Sequence, residues 1–168
     1  MEKDKNFYDL LIVGAGILGL SCAYEYLERF PNKSVMIIEK EHKIFFHQSG
    51  RNSGVIHSGI YYKPGSEKAK NCIHGYKKLI ELLKKLDIPY QITGKLIVTN
   101  DIKRLNDLKI LKRNGEKNGL SGLKLLRENE ILKYEPNCTS AVAALYVPQT
   151  GIVDYKLFGN KLLVEIEK

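Results

Sequence analysis

The sequence is short of cysteine, of arginine clusters and of long apolar runs, and each shortage removes a class of protein. The three cysteines, Cys22, Cys72 and Cys138, are odd in number and widely separated, with no Cys-x-x-Cys pair. That spacing argues against a disulfide framework and against zinc or any other metal site, and it predicts reduced, buried thiols. No apolar stretch reaches the roughly 18 residues that a membrane-spanning helix needs. Basic residues exceed acidic ones, 27 Lys+Arg against 19 Asp+Glu, for a formal charge of +8. Such an excess suits phosphates, acidic substrates or an anionic membrane surface. The lysines are dispersed, arginine is scarce and no basic arm exists, which argues against nucleic acid as a partner.

What the sequence does contain is enough apolar material for a core: 168 residues, 43% of them hydrophobic, the size of one domain on length alone. The apolar run Leu10 to Leu20 follows Lys3 and Lys5 and precedes Ser21-Cys22-Ala23, a superficial likeness to a signal peptide or lipoprotein cleavage site. Glu2, Asp4 and Asp9 in the leader, and three glycines spaced inside the run, argue against secretion. A cytoplasmic protein is expected.

Asp9-Leu10-Leu11-Ile12-Val13 reads as a strand buried on both faces. After Gly19, Leu20, Ala23, Tyr24 and Leu27 fall at helical spacing until Pro31-Asn32, and Ser34 to Glu39 reads as a second buried strand. Strand, helix and strand within about thirty residues make a βαβ unit with parallel strands. A Gly/Ser/His-rich stretch follows from Phe46 to Tyr62. A long amphipathic helix is predicted over 65–86, with Ala69, Cys72, Ile73, Tyr76, Leu79, Ile80, Leu83 and Leu86 on one face. Strands are predicted at 89–93 and 95–99 in a different, mixed or antiparallel sheet. Then come a helix over 101–117, a strand near 123–126, a helix near 128–134 and a strand at 141–147. Asp154 is placed to N-cap a final helix. No internal repeat or low-complexity segment is visible.

Gly14-Ala15-Gly16-Ile17-Leu18-Gly19 matches G-x-G-x-x-G, and its position between a strand and a helix gives the pattern meaning. Gly14 permits the turn, Gly16 lets the backbone approach a pyrophosphate and Gly19 allows close helix-to-strand packing. The helix N-terminus then faces the phosphates. Glu39, at the end of the second strand, stands where an acidic residue accepts hydrogen bonds from ribose hydroxyls and repels a 2′-phosphate, favouring FAD or NAD over NADP. The polar run Gln48 to Gly59, dense in small residues, suits an extended dinucleotide better than it suits a plain NAD-domain helix, and favours FAD. Ser49, Arg51, Asn52, Ser53 and Gly54 join the three glycines and Glu39 as candidate cofactor contacts.

The block Ser49-Gly50-Arg51-Asn52-Ser53-Gly54-Val55-Ile56-His57-Ser58-Gly59-Ile60-Tyr61-Tyr62-Lys63-Pro64-Gly65-Ser66, with Lys68-Ala69-Lys70, Gly94-Lys95-Leu96-Ile97-Val98 and Thr150-Gly151-Ile152-Val153-Asp154, resembles the L-2-hydroxyglutarate oxidase/dehydrogenase family. That family lies within the D-amino-acid-oxidase-like FAD oxidoreductases. The resemblance runs over essentially the whole chain, and its most specific part is the His57 to Ser66 block. It implies oxidation of the C2 hydroxyl of a small dicarboxylate, L-2-hydroxyglutarate, to the 2-oxo acid, with hydride passing to flavin and electrons leaving to a quinone-type acceptor or oxygen. Such chemistry needs a base for the hydroxyl proton and cations for the carboxylates. His57 is the candidate catalytic base, with a flavin-contacting or flavin-linked role and a loop-ordering role as its alternatives. Arg51 and Lys63 are candidates for phosphate or substrate carboxylate, or else solvated charges. Tyr61 and Tyr62 are candidate pocket walls, with packing the alternative.

Members of the family are much longer. The expected architecture is therefore α/β, a Rossmann-type FAD-binding βαβ domain over residues 1–88 followed by the incomplete start of an α+β substrate domain over 89–168. Two readings follow: an enzyme, or one piece of a split enzyme with a separate C-terminal polypeptide, that oxidises L-2-hydroxyglutarate with FAD; or a truncated remnant retaining at most a dinucleotide-binding module. A related FAD dehydrogenase for glycerol 3-phosphate or an amino acid is the enzymatic alternative, against which the Tyr61 to Ser66 block argues. A cytoplasmic location with peripheral contact at the inner face of a membrane fits the charge and a quinone-type acceptor.

Overall fold

A computed structural model describes residues 7–168. The leader residues Glu2, Lys3, Asp4 and Lys5 lie outside the described residues. Backbone contacts divide the chain into two compact units whose segments interleave. The first holds the chain up to Gly54 together with Leu86–Ile88 and Asp154–Lys168; the second holds Val55–Lys85 and Pro89–Val153. These are not the consecutive stretches 1–88 and 89–168 expected from the sequence. The long helix expected in the first clusters with the second, and the helix capped by Asp154 returns to the first.

The first unit opens with the predicted βαβ: β1 (Leu10–Val13), α1 (Ile17–Arg29) and β2 (Val35–Ile38). β1 and β2 pair in parallel, Leu10 opposite Val35 and Val13 opposite Ile38. The helix begins two residues before Gly19, so this glycine lies inside the first turn. Two independent grips fix the strand pair at its start. Asp9 accepts hydrogen bonds from Lys33 Nζ (2.7 Å), Ser34 N (2.8 Å) and Ser34 Oγ (3.0 Å). The backbone N–H groups of Asp9 and Leu10 also donate to the Ser34 carbonyl. Further along, α5 (Tyr155–Ile166) packs on α1, burying Leu20, Ala23, Phe158 and Leu162. Asp154 caps α5 as expected, accepting from Lys156 N and Leu157 N.

The expectation that both strands are buried on both faces needs correction. Burial alternates along each of them, and Leu11 (56%), Val13 (79%), Met36 (36%) and Ile38 (45%) are exposed. The apolar runs are real, but a two-stranded sheet with its helices on one side leaves its other face to solvent.

The second unit contains two antiparallel sheets. One joins β3 (Val55–Ile56), β8 (Gly151–Val153) and β4 (Tyr90–Gln91), with β8 in the middle. The other joins β5 (Lys95–Thr99), β7 (Ala143–Val147) and β6 (Lys124–Arg127), with β7 in the middle. The segments at 89–93 and 95–99, read as partners in one sheet, thus lie in different sheets. Gly94, at φ +75°, separates them, and its N–H donates to the Thr150 carbonyl at 2.8 Å. On one face of β7, Ala143, Leu145 and Val147 pack with Ile60, Leu123 and Leu108 of α3 (Leu105–Lys117). On the other, Ala144 packs with Leu126 and with Ile131 of α4 (Glu128–Ile131). The amphipathic helix α2 spans Glu67–Lys85 and buries Ala69 and Leu83, with Cys72, Ile73, Tyr76, Leu79 and Ile80 of its predicted face half-buried and Leu86, just past its end, buried. All three cysteines are free, but they are not buried as expected: Cys22 is exposed and Cys72 and Cys138 are half-buried. No described helix is long and apolar enough to cross a membrane.

Candidate functional site

In the first unit the predicted phosphate loop is held by backbone geometry. Gly14 has φ +105°, and its N–H donates to the Ile38 carbonyl at 2.7 Å, joining the loop to the end of β2. A Cβ on Gly19 would lie 2.0 Å from the Gly14 carbonyl oxygen, so the helix and the turn approach to a distance only glycine allows. Gly16 is the N-cap of α1, with no side-chain cap and no acidic residue in the first turn. No acidic side chain of the first turn therefore competes for the positive end of the helix, where a phosphate is favoured.

Glu39 reaches back across this loop. Its Oε2 accepts from Ala15 N at 2.7 Å and its Oε1 from Glu41 N at 3.0 Å. These backbone donors, Ala15 foremost, hold its carboxyl below the usual carboxylate range. Ser49 grips the same helix end, its Oγ accepting from Ile17 N at 3.0 Å. Asn52 closes its own turn, donating to the Ser49 carbonyl at 2.7 Å and accepting from Gly54 N at 2.8 Å, with Gly54 at φ +69°. Ser53 is exposed. The Arg51 guanidinium lies 5.1 Å from the Phe46 ring centroid, a cation–π placement on an exposed side chain. Gly14, Gly16, Gly19, Glu39 and Ser49 therefore form one connected structure, with Asn52 and Gly54 shaping the segment that follows.

Sequence reasoning missed Phe45. It is buried with φ +56°, a Cβ on Gly50 would meet its carbonyl oxygen at 2.1 Å, and a Cβ on Gly159 of α5 would meet its ring at 2.5 Å. The short apolar run Ile44-Phe45-Phe46 carries no helical or strand period that could have found it.

In the second unit, the His57 to Ser66 block folds as a turn braced from two sides. Asn118 at the end of α3 donates its side-chain amide to the carbonyls of Gly59 (3.3 Å) and Tyr62 (2.9 Å). Buried Ser58 and Thr150 share a hydroxyl hydrogen bond of 3.3 Å. The two motifs that are farthest apart in the resemblance thus meet in the interior. His57 itself is exposed by area. Partial desolvation, and second the Lys95 ammonium, hold its pKa below the ordinary imidazole value. Tyr61 is exposed and lies beneath Lys95, whose Nζ is 4.5 Å from its ring centroid. Lys63 is exposed; its backbone carbonyl accepts from Ser66 N and Oγ, the latter at 2.6 Å. A cavity of about 330 Å³ in this unit is lined by Thr93, Gly94, Lys95, Leu96, Tyr134, Glu135 and Tyr146, and includes none of the sequence-predicted site residues. Among the described residues no group of three or more His, Cys, Asp and Glu side chains is arranged to hold a metal.

A parallel βαβ whose glycine turn abuts the helix N-terminus, with a strand-end carboxylate and Ser49 closing over it, defines an α/β protein with the Rossmann-type dinucleotide-binding fold. Residues 9–168 match the family model of FAD dependent oxidoreductases (DAO), and the chain belongs to that family. It is 46% identical over 154 residues to L-2-hydroxyglutarate dehydrogenase of Indibacter alkaliphilus, covering 92% of this chain and 38% of that protein. The human mitochondrial L-2-hydroxyglutarate dehydrogenase is 45% identical over 149 residues, covering 89% of this chain and 32% of the human one. The chain thus spans about a third of the length of these curated relatives. Among solved structures, the FAD-bound L-alpha-glycerophosphate oxidase of Mycoplasma pneumoniae superposes with a TM-score of 0.84 at 31% identity, covering 95% of this chain and 42% of that one. Glycine oxidase of Geobacillus kaustophilus shares the fold with a TM-score of 0.85 at 21% identity, covering 95% and 44%.

Proposed function

We propose that this chain is the dinucleotide-binding share of an FAD-dependent enzyme that oxidises L-2-hydroxyglutarate to 2-oxoglutarate. The observation that carries the reading is the 42–46% identity to L-2-hydroxyglutarate dehydrogenases from bacterial, slime-mould and animal sources over nearly all of its length. FAD, when bound, supplies the two-electron acceptor for the substrate C2 hydride. The glycine loop fits that cofactor, since a Cβ at Gly16 would press to 3.1 Å from Ser49 Oγ and narrow the approach a pyrophosphate needs. In this reading α1 holds the pyrophosphate at its N-terminus, Glu39 exchanges its Ala15 N–H bond for ribose hydroxyls, and Ser49, Arg51, Asn52, Ser53 and Gly54 border the cofactor. His57 is the base for the C2 hydroxyl proton. Its lowered pKa keeps the imidazole neutral, and so able to accept a proton, near pH 7. Lys63 and Tyr61 meet the dicarboxylate. Electrons leave to a quinone-type acceptor or oxygen, with the protein cytoplasmic and in peripheral contact with the membrane's inner face.

The exposed apolar face of the β1–β2 pair supports a covering partner there, of the kind the remaining length of the relatives could supply. Parallel strands are stable when both faces are covered, and Leu11, Val13, Met36 and Ile38 are the side chains such a partner would bury. The enzymatic alternative, glycerol 3-phosphate as substrate, draws on the 31% identity to the glycerophosphate oxidase.

The test is flavin reduction. The chain alone is expected to bind FAD weakly or not at all. Co-expressed with the remaining polypeptide of a close relative, it should carry yellow flavin that bleaches on anaerobic addition of L-2-hydroxyglutarate. In that pair His57→Ala should slow bleaching by about 100-fold or more. Faster bleaching by glycerol 3-phosphate or an amino acid reassigns the substrate. A pair that carries no flavin overturns the reading of this chain as part of an FAD enzyme.

A further inference from the structure

We propose that Lys95 is the anion anchor of the His57 turn: its ammonium takes a carboxylate of the substrate and holds the adjoining hydroxyl carbon against the His57 imidazole. This deepens the reading above and rests on it for the substrate, though not for the anion site itself.

Side-chain alternation along β5 places Lys95. Ile97 packs with Ile60, Leu145 and Val147, whereas Leu96 packs on the opposite face with Leu126 and Ala144. Lys95 therefore emerges on the Ile60 face, and its Nζ stands over Tyr61, the next residue of the turn. Its backbone is fixed. A Cβ on the preceding Gly94 would meet the Tyr146 ring at 2.5 Å, and Gly94 N–H is held by the Thr150 carbonyl. Thr150 Oγ1 bonds Ser58, the residue after His57. One buried threonine thus grips the immediate neighbours of both Lys95 and His57.

Lys95 is half-buried, yet no carboxylate lies within ion-pair distance of it among the described residues; the comparably half-buried Lys112 is paired with Glu116. A half-buried lysine held over an aromatic ring without an ion-pair partner is set for an anion that arrives from outside. His57 already feels this cation, which lowers its pKa. An anion bound at Lys95 offsets that field and raises the proton affinity of the imidazole as the substrate arrives.

The experiment is NMR titration of the isotope-labelled full chain with L-2-hydroxyglutarate, sn-glycerol 3-phosphate and uncharged glycerol. L-2-Hydroxyglutarate should shift the Gly94 and Lys95 amides and the His57 ring signals, and glycerol should not. Lys95→Met should weaken that binding by about tenfold or more, the loss expected for a charge-assisted contact, while Lys95→Arg restores most of it. A response to glycerol 3-phosphate alone keeps the anchor and overturns the hydroxyglutarate reading. Equal anion affinity in wild type and Lys95→Met, or no anion-dependent shift at these residues, overturns the anchor. The titration needs no flavin turnover, so its result does not depend on an active enzyme.

Discussion

β1, Leu10-Leu11-Ile12-Val13, and β7, Ala143-Ala144-Leu145-Tyr146-Val147, are both uninterrupted apolar runs, yet Val13 is 79% exposed and Leu145 is fully buried. Neighbours make the difference. β7 has a hydrogen-bonded strand on each side, α3 packed over one face and α4 over the other. Among the described residues β1 has one partner strand, β2, and α1 packed against it. An apolar run reports the environment a strand is built for, whereas burial reports which of its partners are in place.

The contrast can be broken most directly in the buried sheet. Leu145→Ala leaves a cavity between β7 and α3 and should cost about 3 kcal/mol in urea unfolding, whereas Val13→Ala on the open face should cost under about 0.5 kcal/mol. Equal losses would show that the open face is covered in solution. Gly19→Ala comes next. A methyl 2.0 Å from the Gly14 carbonyl must displace backbone, with an expected loss of about 1–3 kcal/mol and a distorted phosphate loop. Unchanged stability and an unshifted Gly14 amide would mean the loop is looser than its geometry. The smallest effect is electrostatic. Asp9 is held at a pKa of about 2 by Lys33 first and Ser34 second. Its folded pKa is depressed, so the strand-pair grip is fully present above about pH 4 and disappears as pH falls through about 2. Asp9→Asn should remove that part of the acid dependence of the urea midpoint. The side chains are exposed, which keeps the change small.

Much of the first unit was legible because its signals are local. Gly14, Gly16 and Gly19 occupy fixed places between a strand and a helix, and Glu39 lies where strand length puts it, within reach of Ala15 N. Asp154 announced its helix through capping chemistry. The β3-β8-β4 sheet was not legible. Two- and three-residue strands carry no period, and their partners lie some sixty to a hundred residues apart. Interleaving of the two units was hidden for the same reason: a boundary drawn along the chain cannot represent a helix that returns. In the candidate site, His57 and Tyr61 stood out by motif, while Lys95 read as one more strand lysine until the alternation of β5 put it over Tyr61.

Phe45 carries a consequence for the order of folding. Its carbonyl lies against Gly50 and its ring against Gly159, so the segment leading to Ser49 is shaped by a helix made about 110 residues later. During synthesis the glycine turn and α1 leave the ribosome early, but the wall beside them has nothing to close on until α5 emerges. The segment carrying Phe45, His47 and Ser49, though made early, therefore has its final packing partner only once α5 is present.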